Sequence, residues 1–269
     1  MAKARTCELF ASAPSRKARM EKSTSFKKVC IVFAFCIATT VTSPAQTFTT
    51  LVSFDGTNGD YPAYMSLIQG FDGNLYGTTY RGGANGLGEV FKITEAGHLT
   101  TLHSFDSTEG ANPYGLLQAT SGIFYGTTSG GGTDGYGTIF EITTEGTLTT
   151  LHSFDGIDGY APAAGLVQAA NGNFYGTTYF GGTNNDGTIF EITASGSLTT
   201  LYNFCSQTAC DDGEYPEGVL VQATNGNFYG TTNGGGANGE GTVFEITAGG
   251  RLTTLHSFNG SDGGYRQQD

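Results

Sequence analysis

GLVQAANGNFYGTTYFGGTNNDGTIFEITASGSLTTLYNF, residues Gly165–Phe204, is the unit from which most of this chain is built. It holds four short runs rich in Val, Ile, Thr, Tyr and Phe, each bounded by Gly or Asn, which reads as four strands. The runs, named a to d, are Leu166–Ala169, Asn173–Thr178, Thr188–Thr193 and Leu198–Phe204. No segment of the repeat has an apolar 3.6-residue period long enough for a helix.

Working outward, the unit recurs. Tyr-Gly-Thr-Thr begins at Tyr76, Tyr125, Tyr175 and Tyr229, in steps of 49, 50 and 54 residues. Phe-Glu-Ile-Thr, with Lys92 in place of Glu once, begins at Phe91, Phe140, Phe190 and Phe244 and keeps the same steps. Leu-x-x-Phe begins at Leu51, Leu102, Leu151, Leu201 and Leu255. Four strands in roughly 50 residues is the scale of a propeller blade. The predicted fold is therefore all-β and β-propeller-like, a tandem repeat of four complete four-stranded blades at about 62–105, 112–154, 161–204 and 215–258. The repeat domain spans 46–258 and opens with Thr47–Phe54, an orphan N-terminal strand that matches strand d alone. Residues 259–269 start a further repeat and stop where its strand a is due, so the expectation is an open or truncated array, with a closed four-blade ring as the competing view.

Turn chemistry orients the blade. Strands a and b are joined by Asp72-Gly73, Ser121-Gly122, Asn171-Gly172 and Asn225-Gly226, and strands c and d by similar Gly pairs, which suit type I′ hairpins. The b–c and d–a connections are longer, so one end of every blade is trimmed tight and the other carries the variable loops.

Residues 1–45 lie outside the repeat. Lys27-Lys28, the apolar run Val29–Val41 and Ser43-Pro44-Ala45 form a secretory signal peptide by pattern, with Met20 as an alternative start. The run is too short to span a bilayer comfortably, so no membrane insertion is expected after leader cleavage, and the expected location is secreted or cell surface. The leader holds eight of the 12 Lys and Arg and two of the 24 acids, leaving four basic and 22 acidic residues, net −18, in the remainder. That charge excludes a nucleic acid partner. Cys205 and Cys210 remain after the leader, in a d–a loop longer than its siblings, where a local disulfide is expected in an oxidising compartment. Free thiols are the alternative; a metal site is the weaker reading for want of a nearby His pair.

No catalytic constellation emerges. His103, His152 and His256 share one repeat position with Val52 and Tyr202, which reads as a half-buried strand position. There is no G-x-S-x-G elbow, no zinc spacing, and the glycine runs do not precede a helix. Fourteen of the 22 acids fall in the long loops. They are turn formers and a solubility device on one account, and calcium ligands, as at Asp155-Gly-Ile-Asp158, on another. No cofactor is otherwise implied. Tyr80, Tyr179, Phe180 and Asp186 share that face with Asp155 and Asp158 and are the ligand-face candidates. Tyr61 and Tyr215, each before Pro, are expected to pack the start of strand a instead.

The consensus G-L-x-Q-A-x-x-G-x-x-Y-G-T-T, followed by G-T-x-F-x-I-T-x-x-G-x-L-T-T-L-x-x-F, resembles the GloVer tandem repeat of exported bacterial choice-of-anchor proteins over about Thr47–Phe258. The resemblance implies a propeller-like surface protein with no catalytic residues to carry over. The expected function is thus a non-enzymatic, exported binding or adhesion scaffold whose long-loop face takes a protein or glycan. The alternatives are a secreted propeller hydrolase or lyase, or a non-functional fragment of a longer repeat protein.

Overall fold

The computed structural model describes residues 48–62 and 66–264. The chain divides into two units, 1–47 and 48–269, and the described residues belong to the second. The signal peptide expected at 1–45 and residues 265–269 lie outside the described residues.

Among the described residues, seventeen strands form four antiparallel sheets. Blade 1 is β1 (Ile68–Gln69), β2 (Leu75–Thr79), β3 (Glu89–Ile93) and β4 (Leu99–Ser104). Blade 2 is β5 (Ala111–Gln118), β6 (Phe124–Gly130), β7 (Thr138–Ile142) and β8 (Leu148–Ser153). Blade 3 is β9 (Val167–Gln168), β10 (Phe174–Thr178), β11 (Thr188–Ile192) and β12 (Leu198–Asn203). In blade 4, strand a is split into β13 (Glu214–Pro216) and β14 (Val221–Gln222), both paired to β15 (Phe228–Gly234), followed by β16 (Thr242–Ile246) and β17 (Leu252–Ser257). Each sheet is a meander with strands in chain order, and the sheets are not closed into a ring. The c–d pairing shifts register at one place in every blade, as between Ile139 and Phe140.

The tight turns differ in type from the expectation. The Gly73 and Gly172 N–H groups donate to the Gly70 and Ala169 carbonyls three residues back. Only the glycine of each pair has positive φ, +83° at Gly73 and +87° at Gly172, while Asp72 and Asn171 do not. These are three-residue loops, a type I turn closed by one left-handed glycine. Asp72 and Asn171 serve as acceptors for the N–H two residues on, from Asn74 at 3.1 Å and Asn173 at 3.1 Å, which a type I′ geometry does not need.

A single sheet of this kind cannot bury both faces, so the core lies between blades. Three clusters fill the three interfaces. The strand-b tyrosine of each blade lies on the first strand-b residue of the next, with centroids 4.3 Å apart for Tyr76 and Phe124, and 4.1 Å for Tyr125 with Phe174 and Tyr175 with Phe228. Such pairs add about 0.5–1.5 kcal/mol each beyond the area they bury. The phenylalanine ending strand d meets the strand-c phenylalanine of the next blade, Phe105 to Phe140 at 5.1 Å and Phe154 to Phe190 at 5.5 Å. A strand-a glutamine reaches back across each interface, so that the N–H groups of Phe71, Thr120 and Ala170 donate to the side chains of Gln118, Gln168 and Gln222.

Phe48–Phe54 forms no strand, because its pairing partner would be a strand c, and none lies beside it among the described residues. It nonetheless takes a strand-d place against blade 1. Phe54 meets Phe91 at 5.2 Å, and the Leu51 carbonyl sits over Gly97 where a side chain would not fit, as Leu102 sits over Gly146 and Leu151 over Gly196.

Candidate functional site

The long-loop end of each blade is built from the d–a and b–c loops. At the turn after strand d, Asp106 Oδ1 accepts from the Thr108 N–H at 2.8 Å, the Thr108 hydroxyl at 2.6 Å and the Glu109 N–H at 3.1 Å. Those bonds, the Thr108 hydroxyl first, hold the Asp106 carboxyl below its usual range. Asp155 Oδ1 accepts from the Ile157 and Asp158 N–H groups at 2.8 and 3.0 Å, and its carboxyl is likewise held low, the Asp158 N–H contributing most.

The second acid of each loop reaches strand d. His103 Nε2 lies 2.7 Å from Glu109 Oε2, His152 Nε2 2.6 Å from Asp158 Oδ2, and His256 Nε2 3.0 Å from Asp262 Oδ2. At the Tyr copy of this position, the Tyr202 hydroxyl donates to Asp212 Oδ2 at 2.7 Å. The half-buried strand position thus has a specific partner, which the sequence reading missed. Its signal is an acid six residues after each His, or ten after Tyr202 where the loop is longer. Of Asp155 and Asp158, offered above as ligand or calcium residues, Asp155 Oδ1 and both Asp158 oxygens meet this loop or His152.

The inserted loop after β12 contains a short 3-10 turn, Thr208–Cys210, and a bond between Cys205 and Cys210. Asp186 and Glu214 approach the two sulfurs, giving four donor groups within 4.8 Å of one another. The sulfurs are joined to each other, so neither is a thiolate ligand. Burial, then the Asp186 charge, raises the Glu214 carboxyl above its usual range, and the same causes push the Tyr215 hydroxyl up. Buried Glu89, 2 % exposed, replaces the strand-c threonine of the other blades, and it accepts from Ser104 at 2.7 Å and Thr101 at 3.3 Å.

The inner edge of this face is different. A cavity of about 430 Å³ opens there, lined by Tyr80, Tyr114, Tyr160 and Tyr179, with Asn112 and Glu217 among its polar groups. It shares Tyr114, Ala163 and Glu217 with a second cavity of about 400 Å³ running along the strand-a segments of all four blades. Tyr80 meets Tyr114 edge-on at 5.7 Å, Tyr160 stacks on Phe180 at 5.7 Å, and Tyr179 stacks on Tyr215 at 5.3 Å. The belt therefore includes Tyr215, which the sequence reading assigned to packing the start of strand a. Asn233 Nδ2 donates toward the Tyr179 hydroxyl at 3.5 Å and Glu217 Oε2 at 3.4 Å. Tyr80, Tyr179 and Phe180 are thus drawn together with Tyr114 and Tyr160, whereas Asp155 and Asp158 serve the loop turn.

One backbone feature marks the funnel in every blade. Tyr61, Asn112, Ala161 and Tyr215, each directly before a proline, have φ of 61°, 58°, 51° and 57°. A side-chain-bearing residue in this region is strained, and the following proline disfavours helical backbone there further. The strain is held by paired backbone bonds. The N–H groups of Asn112, Ala161 and Tyr215 donate to the Leu87, Tyr136 and Asp186 carbonyls, and those of Tyr80 and Tyr179 donate to the Tyr61 and Ala161 carbonyls. Residues before Pro read as extended from sequence, so this geometry was not legible there.

Comparisons with known proteins agree with the architecture. The chain is similar in structure to virginiamycin B lyase from Staphylococcus aureus, with a TM-score of 0.55 and 19 % identity over 78 % of this chain and 60 % of that one. A catalytically inactive variant of the Staphylococcus aureus lyase with quinupristin gives a TM-score of 0.53 at 18 % identity over 77 % and 59 % of the two chains. A streptogramin B lyase gives 0.50 at 18 % identity over 74 % and 55 %. The chain thus spans between 55 and 60 % of the length of these structures, and at such identities the likeness extends to the fold alone. No curated protein matches the sequence. The Gloeobacter/Verrucomicrobia repeat matches residues 37–171 and 162–269, and the chain belongs to that repeat family.

Proposed function

We propose that this protein is an exported, non-enzymatic binding module whose ligand sits at the tyrosine-lined funnel of the long-loop face. The observation that carries the reading is the convergence of Tyr80, Tyr114, Tyr160 and Tyr179 with Asn112 and Glu217 around one cavity. Flat rings beside amide and carboxylate groups suit a ligand with apolar faces and hydroxyl edges, which is the chemistry of a neutral glycan. The net charge of −18 carried by residues 46–269 disfavours polyanionic ligands. The titratable groups lining the funnel are tyrosines and Glu217, while His103, His152 and His256 are engaged on strand d and His98 lies in the c–d turn of blade 1. The leader pattern supports export to the cell surface or beyond.

The test is a panel of immobilised neutral oligosaccharides probed with the chain and with Tyr160→Ala and Tyr179→Ala. Retention on at least one glycan, reduced about tenfold or more by each substitution, is the expected outcome. Retention that both substitutions leave intact, or turnover of a bound glycan, overturns the reading.

A further inference from the structure

The three inter-blade interfaces use the same positions, and the outward faces of blades 1 and 4 expose them. On the side facing the next blade, Ile68, Leu117 and Val167 of strand a and Leu102, Leu151 and Leu201 of strand d pack against the three clusters. In blade 4 the equivalents are Val221, 63 % exposed, and Leu255, 50 % exposed. On the side facing the previous blade, Leu166 and Leu220 are buried and Leu116 is packed against its cluster, whereas Leu67 of blade 1 is 50 % exposed.

The blade 1 face is partly covered. Phe48–Phe54 supplies what strand d supplies elsewhere, and an apolar cavity of about 380 Å³ remains beside it, lined by Leu51, Phe54, Pro62, Leu67, Phe91 and Ile93 among others. At the first interior interface the corresponding space is filled by Ile68, Tyr76 and Val90, from strands a, b and c of the preceding blade. Every interior strand d also pairs along one edge with a strand c, as Val90 with His103 and Ile139 with His152. Among the described residues the edge of Phe48–Phe54 has no such ladder.

We infer that this face is a docking surface for one further repeat unit of the same family, presented as strands a, b and c without a strand d of its own. Its strand c adds to the edge of Phe48–Phe54 by main-chain hydrogen bonds, and its strand-b tyrosine and aliphatic residues of strands a and c enter the cavity. The occupant follows from continuity with three interfaces of identical plan. A complete blade, such as blade 4 of a second copy, brings a strand d that competes with Phe48–Phe54 for one place.

The probe is a synthetic peptide of residues 161–193, which carries strands a, b and c of blade 3, added to the chain. Binding at one peptide per chain is expected, with new hydrogen-exchange protection at the amides of Thr49–Phe54. Leu67→Asp, a rim substitution, weakens binding about tenfold or more, and Val221→Asp leaves it unchanged. A variant with residues 161–197 placed directly before Phe48 presents the same unit covalently and melts at a higher temperature than the parent. The inference is overturned if neither peptide nor fusion protects Thr49–Phe54, if Val221→Asp and not Leu67→Asp abolishes binding, or if the chain self-associates through this face and the peptide does not compete.

Discussion

The loops after β8 and after β12 occupy one place in the repeat and solve one problem in two ways. In the first, Asp158 stands six residues after His152 and is half-buried; in the second, four extra residues put Asp212 ten after Tyr202 and bury it completely. Both acids end within hydrogen-bonding reach of strand d. Asp212 also accepts from the Ser206 and Gln207 N–H groups at 2.9 and 3.1 Å, closing the inserted segment beside the Cys205–Cys210 bond. The comparison shows that the strand-d position is defined by its loop acid and not by the side chain that fills it. Where strand d carries Val52, the residue six on is neutral Asn58, whose Oδ1 accepts from the Asp55 N–H at 2.9 Å as Asp158 Oδ1 does from the Asp155 N–H at 3.1 Å.

The sharpest way to separate the two loops is to remove their acids. Asp212→Ala strands the Tyr202 hydroxyl and two N–H groups in a buried place and should cost roughly 3 kcal/mol or more, while Asp158→Ala, with water at hand, should cost roughly 1 kcal/mol. Denaturant melts of the two variants measure this, and equal losses would break the distinction.

A smaller difference should appear in pH dependence, with opposite signs. The Asp155 carboxyl is held below its usual range, so its contribution is present above the unfolded value of about 3.9 and is lost as pH falls through the lower folded value. Burial, and then Asp212, raises the Tyr202 hydroxyl, so its contribution is intact below the unfolded value of about 10 and declines as pH rises beyond it. Melting temperatures from pH 2 to pH 11 should show Asp155→Asn shrinking only the acid limb and Tyr202→Phe only the alkaline one.

The smallest effect tests whether the pairing can be transplanted. Val52→His with Asn58→Asp should recreate in the first loop the contact of His152 with Asp158. A double-mutant cycle should give a coupling of about 0.5–1 kcal/mol, and additive single changes would mean that the pair needs more of its blade than these two positions.

The period, the four meanders and the one-sided long loops were legible because glycine turns and strand-forming runs are local signals that three markers repeat in step. Strand limits came out within a residue or so; β9, for example, is Val167–Gln168 within the expected Leu166–Ala169. The funnel was only half legible. Tyr80, Tyr179 and Phe180 were picked out by residue type, but Tyr114, inside a strand a, needed the radial stacking of blades that no local pattern encodes. Tyr215, at the start of strand a in β13, stacks on Tyr179 with left-handed backbone before Pro216, against the preference of that dipeptide. Asp155 and Asp158 stood out in the sequence only as exposed loop carboxylates, and the contacts of Asp155 Oδ1 with loop N–H groups and of Asp158 Oδ2 with His152 come from the folded turn.

The glutamines that bridge neighbouring blades have a consequence for how such genes change. Gln118, Gln168 and Gln222 each grip the same turn of the unit before, so a junction between any two copies is satisfied by what every copy carries. Unequal crossing-over between copies, at any matched codon, yields a chain with one unit more or fewer and no mismatched seam. Copy number is therefore free to drift at these seams, whereas the long loops take no part in them and already vary in length from one unit to the next.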